Sequence, residues 1–203
     1  MKTKNLFQAA ILTLAAVVAT GCTTTLKHGE LSGTTSVAKG PMAVSSRAEN
    51  MRKRIGWGTL TVFAIPVAPV TVNGEPDREL MNQVKDAVEQ SGHEAKIVEN
   101  PSEAGDLPVL SCKVDKFSFR NYTWLFPIVF NWGKISMDVT VTGADGTILW
   151  QKSYTGKGNG AYSFNSPVNK ALTRILNEMI GDLANVDFRS LGKQAQANPI
   201  GSE

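Results

Sequence analysis

Seven apolar residues near the carboxyl end place the strongest constraint on the fold. Val168, Leu172, Ile175, Leu176, Met179, Ile180 and Leu183 recur at helical spacing, on one stripe of a helix predicted from about Pro167 to Asn185. Asn165 or Ser166 can cap it, and Pro167 suits its first turn. A helix that is apolar on one side only needs a flat apolar surface to lie on, and a sheet supplies one. A matching surface is legible between Ile135 and Thr142. There Ile135, Met137, Val139 and Val141 alternate with Ser136, Asp138, Thr140 and Thr142, the pattern of a strand with one wet face.

The remaining elements follow from the same periodicities. Leu80, Val84, Ala87, Val88 and Ser91 form the stripe of a second helix over Pro76–Ser91, with Gly92 at its end. Strands are predicted over Gly58–Val72, Ala95–Val98, Leu107–Asn121 and Thr147–Gly156. Pro66 and Pro69 should end the first of these near Ile65 or confine it to a sheet edge. A change of phase after Asp115 predicts a bulge or a strand passing between packed faces. Lys157–Gly160 reads KGNG but lacks the spacing of a phosphate-binding loop, and is expected to be a plain turn. The order β–α–β–β–β–β–α predicts a two-layer α+β domain over residues 55–188. It pairs a mainly antiparallel sheet of about 4–5 strands with two amphipathic helices on one face. Residues 189–203 lose all period and read as a loose tail.

Residues 1–21 stand outside that scheme. Lys2 and Lys4 form a basic head, Leu6–Val18 is almost wholly apolar, and Ala19-Thr20-Gly21-Cys22 follows. The apolar run has the length of a signal-peptide core and falls short of the roughly 20 residues a membrane span needs. A small residue before a cysteine, directly after such a core, resembles the lipobox of bacterial lipoproteins, although Ala19 stands where Leu or Val is usual. The resemblance implies cleavage before Cys22, a diacylglyceryl group on its thiol and acylation of its amine. Residues 22–54 are rich in Thr, Ser, Gly and Ala, and are expected to be the acylated cysteine and a flexible tether. At roughly 5–6 Å × √n such a tether holds the domain about 30 Å from the membrane. It ends in Arg52, Lys53 and Arg54. These side chains either meet anionic headgroups or glycolipid phosphates, or simply form a solvated run before a strand.

Composition narrows the function more by exclusion than by motif. The net charge of +3 falls to +1 once Lys2 and Lys4 leave with residues 1–21, so nucleic acid is not an expected partner. With Cys22 acylated, Cys112 has no cysteine partner, and its place between Leu110 and Val114 predicts a buried small hydrophobe. The only histidines are His28, in the expected tether, and His93, expected on the surface at a helix end. No CxxC, HExxH, GxSxG or acidic metal loop is present, so neither a metal nor a cofactor nor an enzymatic activity is expected.

Tyr122–Trp132 is the most unusual stretch, with Tyr122, Trp124, Phe126, Phe130 and Trp132 and no charge. Three roles are open to it: a hairpin that completes the core, an exposed patch for a partner, or a loop that enters a membrane interface. Over about residues 57–185 the element order, together with the Cys22 signal, resembles small bacterial outer-membrane lipoproteins of the YajG type. More distantly it resembles the lipopolysaccharide-assembly lipoprotein. The resemblance implies a non-catalytic, periplasm-facing accessory held in the membrane through Cys22 that binds an envelope protein or glycolipid. Thr23, in place of an aspartate after the cysteine, points by the same family rule to the outer membrane.

Overall fold

A computed structural model describes residues 22–32, 39–60, 65–125, 128–161 and 165–188. The elements in chain order are β1 (Cys22–Thr24), β2 (Gly40–Ser45), β3 (Arg54–Leu60), β4 (Ile65–Val72) and α1 (Pro76–Gln90). They continue with β5 (His93–Val98), a 3₁₀ turn (Pro101–Ala104), β6 (Val109–Leu125), β7 (Ile128–Thr142), β8 (Ile148–Ala161) and α2 (Asn165–Leu183). The α+β class and both helices agree with expectation. The sheet is larger than expected, with eight strands among the described residues, and although some pairings are parallel its longest ladders are antiparallel.

Strand β6 is its axis. β7 runs antiparallel along one side of β6, and β8 antiparallel to β7. The other side of β6 is shared by two parallel strands, β2 against Val109 and Leu110 and β3 against Phe119–Thr123. β5 continues the sheet beyond β2 in parallel, β4 beyond β3 in antiparallel, and β1 lies parallel to β4. The phase change expected near Asp115 is a register shift between Val114 and Lys116.

Three local expectations are corrected. The segment 22–54 is not a tether over its described residues. Met42, Ala43 and Val44 have no exposed surface, and β2 is bonded on both sides, to β5 and β6. A strand buried on both faces has no alternation to betray it, and three apolar residues among Gly, Pro and Ser are too few to read as a run. Leu26 is also buried, and the chain after it is pinned across α2. The amides of Lys27, Gly29 and Ser32 donate to Asn169 Oδ1, Thr173 Oγ1 and Asn177 Oδ1, each one helical turn from the next. Next, Gly58–Val72 is a hairpin of β3 and β4, with Pro66 and Pro69 tolerated inside β4. Finally, Lys157–Gly160 belongs to β8, not to a turn. A Cβ at Gly158 would stand 2.0 Å from the Pro167 carbonyl oxygen, and one at Gly156 would stand 2.1 Å from that of Ala171. Those glycines let α2 settle directly on the strand.

The core lies between the sheet and the two helices. Every residue of the predicted α2 stripe is at most 2% exposed, and Leu80, Val84, Ala87 and Val88 of α1 are buried beside it. Ile135, Met137, Val139 and Val141 meet them from β7, as the alternation predicts. Cys112 is a free, buried thiol whose burial pushes its pKa up to about 12, so it packs as a hydrophobe. His93 departs from expectation: it opens β5, is buried, and tilts against Phe188 with ring centroids 5.5 Å apart.

Candidate functional site

The register of the strands defines two unlike ends of the sheet. Cys22 pairs with Val70, Val70 with Gly56, Gly56 with Phe119, Phe119 with Gly133 and Gly133 with Gly158. This row crosses six strands and divides the sheet. One row beyond it lie Pro69, Trp57, Arg120, Trp132 and Asn159, and two further residues along come Thr59, Tyr122, Phe130 and Ala161. The β3–β4 and β6–β7 connections both leave from this same end.

The expected site residues can now be placed. Phe130 and Trp132 are 47% and 45% exposed, and their rings stack with centroids 6.3 Å apart. Asn131 between them is buried. Alternation along β7 explains this. Ile135, Met137 and Val139 share the face of Asn131 and lie under the helices, whereas Phe130 and Trp132 share the opposite, helix-free face. Tyr122 and Trp124 lie in the last part of β6, and Phe126 falls outside the described residues. The segment is therefore a hairpin that extends past the core, with at least two of its aromatic rings in solvent. On the other side of the Cys22 row the helix-free face is polar. Ser136 and Thr155 hydroxyls lie 2.9 Å apart, and Ser153 donates to Asp138.

Charge follows the same division. The sequence carries no Asp or Glu between Glu49 and Glu75, between Asp115 and Asp138, or between Asp145 and Glu178, and these stretches build the end beyond Cys22. Half of the chain's 18 acids fall instead between Glu75 and Asp106, in and around α1 and β5. Cations surround the dividing row. Arg54 pairs with Thr71, beside the Thr23 row, and Lys134 pairs with Lys157 one row behind Cys22. Arg52, Lys53 and Arg54 are all exposed. Trp57, Arg120, Lys134 and Lys157 were not singled out from sequence. The signal that points to them is the lack of acids in three separate stretches, and only the strand order shows that these stretches converge.

Elsewhere the polar groups hold the layers together. Tyr154 Oη donates to Asp182 Oδ2 at 2.8 Å, and Lys152 Nζ reaches the same oxygen at 2.7 Å and Glu178 at 3.2 Å, which fastens α2 to β8. Burial, with the Asp182 carboxylate second, pushes the Tyr154 phenol well above its usual range, and the hydrogen bond to Asp182 raises Lys152. His28 Nε2 lies 3.2 Å from Asp86 on the surface. Among the described residues no group of three or more His, Cys, Asp or Glu could hold a metal ion. Among them, too, no helix is long and apolar enough to cross a membrane.

No protein-family model matches the chain, and no curated protein matches it in sequence. Solved structures do resemble it. A Xanthomonas campestris protein of the DUF330 family superposes with a TM-score of 0.51 at 12% identity, over 87% of this chain and 99% of that one. A PelC dodecamer subunit from Paraburkholderia phytofirmans gives 0.47 at 14% identity, over 77% and 98% of the two chains. A lipoprotein from Neisseria meningitidis gives 0.34 at 11% identity, over 72% and 100%. At these identities the first similarity establishes a shared fold and nothing finer.

Proposed function

We propose that this chain is a lipid-anchored accessory protein of the bacterial cell envelope. It is held through acylated Cys22, faces the periplasm from the outer membrane, and acts by binding an envelope protein or glycolipid rather than by catalysis. The observation that carries this reading is the position of Cys22. It comes four residues after a signal-length apolar run and is also the first residue of β1, an edge strand. The polar clusters support a binding role, since Lys152, Tyr154 and Asp182 are engaged in fastening α2 to the sheet.

The test is metabolic labelling with a palmitate analogue in a bacterial host, followed by mass spectrometry and separation of the membranes by density. The mature chain should begin at Cys22, carry acyl groups and band with the outer membrane, and Cys22→Ser should lose the label. An unlabelled, soluble wild-type chain would refute the proposal. Acylation with inner-membrane banding would refute only the assignment to the outer membrane.

A further inference from the structure

We infer that the sheet end beyond Cys22 is a bilayer-docking surface that enters the headgroup and upper acyl region of the membrane holding the lipid anchor. The inference rests on the acylation of Cys22 and adds to it an orientation and a contact surface.

Direction comes first. β1 is parallel to β4, β4 antiparallel to β3, and β3 parallel to β6, so the start of β1 points toward the same end as the β3–β4 and β6–β7 connections. The amine of a mature chain beginning at Cys22, and an acyl group on that amine, therefore point toward that side. Distance follows from strand geometry at about 3.3 Å per residue. Trp132 lies roughly 3 Å beyond the Cys22 row and Phe130 roughly 10 Å beyond it, while the end of β6 at Leu125 lies about 20 Å beyond. Because Cys22 is itself in the sheet, no flexible spacer separates this end from the anchor. A membrane that holds the lipid meets these strands.

The chemistry is graded in the order a bilayer interface requires. Lys134, Lys157 and Arg54 flank the row just behind Cys22, where anionic phosphates lie. Trp132 and Phe130 come next, at the depth that amphipathic aromatic rings favour. The three stretches that build this end hold no carboxylate, so an anionic surface meets attraction without repulsion. A protein partner would require no such order along a single axis.

The experiment uses the full acylated chain reconstituted into vesicles of phosphatidylethanolamine and phosphatidylglycerol, with or without brominated acyl chains. In one variant Trp132 is the only tryptophan, with Trp57, Trp124 and Trp150 replaced by Phe. In the other only Trp150 remains, at the opposite end of β8 from Asn159, the partner of Trp132. Circular dichroism establishes that both are folded. Bromolipid should quench Trp132 several-fold more strongly than Trp150. Flotation with the vesicles reports the anchor separately, and Cys22→Ser should abolish it. Flotation with equal quenching of the two tryptophans would overturn docking and leave the anchor intact, whereas failure of the wild-type chain to float would overturn both. A photocrosslinking residue at position 132 supplies an independent readout in cells. Lipid adducts support docking, and a discrete protein adduct would overturn it in favour of a protein interface.

Discussion

Met42→Ala separates a tether from a core strand by more than the error of a routine measurement. Met42 has no exposed surface, pairs with Ala95 of β5, and precedes Ala43, whose amide donates to the Pro108 carbonyl at 2.9 Å. Truncating a fully buried Met to Ala removes its apolar surface from the core and leaves a cavity, at a cost of about 2–5 kcal/mol. For a chain of this size each kcal/mol lowers Tm by roughly 2–4 °C, so the midpoint should fall by about 4–20 °C. A residue in a solvated tether would change stability by no more than about 0.5 kcal/mol, less than roughly 2 °C. Thermal unfolding followed by circular dichroism measures this, with Arg52→Ala, an exposed position in the same stretch, as the control. Equal midpoints for Met42→Ala and Arg52→Ala would refute the placement of β2 inside the sheet between β5 and β6.

Two glycines should respond oppositely to the same substitution. Gly156→Ala places a Cβ 2.1 Å from the Ala171 carbonyl oxygen, so α2 must lift from β8 at a cost of about 1–3 kcal/mol or more. Gly181→Ala meets nothing within 4 Å on the exposed side of α2 and should stabilise by up to about 1 kcal/mol. Denaturant titration of both variants checks the signs, and a neutral Gly156→Ala would contradict the close helix–strand contact. Burial lowers the pKa of His93 from its ordinary 6.5. Between the folded and unfolded values the unfolded chain binds a proton that the folded chain does not, so stability rises with pH there. The contribution is complete above about pH 6.5 and is lost as the pH falls through the folded value. His93→Phe keeps a ring against Phe188 but does not titrate, so its Tm should fall less than that of the wild type between about pH 7 and pH 5. Parallel curves would exclude His93 as a source of acid sensitivity.

What could be read in advance is what depends on local periodicity. The α2 stripe, the α1 stripe and the alternation of Ile135–Val141 each mark one face for burial, and each is buried. A helix or strand with one dry face must show it at a fixed period, whatever it packs against.

Strand pairing decided the rest. β2 carries no alternation because both its faces are covered, and its place inside the sheet depends on β5 and β6, which come later in the chain. A linear reading leaves Phe130 and Trp132 open to core, partner or membrane roles, and they are exposed because alternation along β7 puts them on the helix-free face of the sheet. The three acid-free stretches are far apart in sequence, and none is unusual alone. Hydrogen-bonded register alone brings them to one end of one sheet, next to Cys22. Local periodicity therefore determined which faces are dry, and long-range pairing determined where Cys22, the aromatic rings and the cations meet.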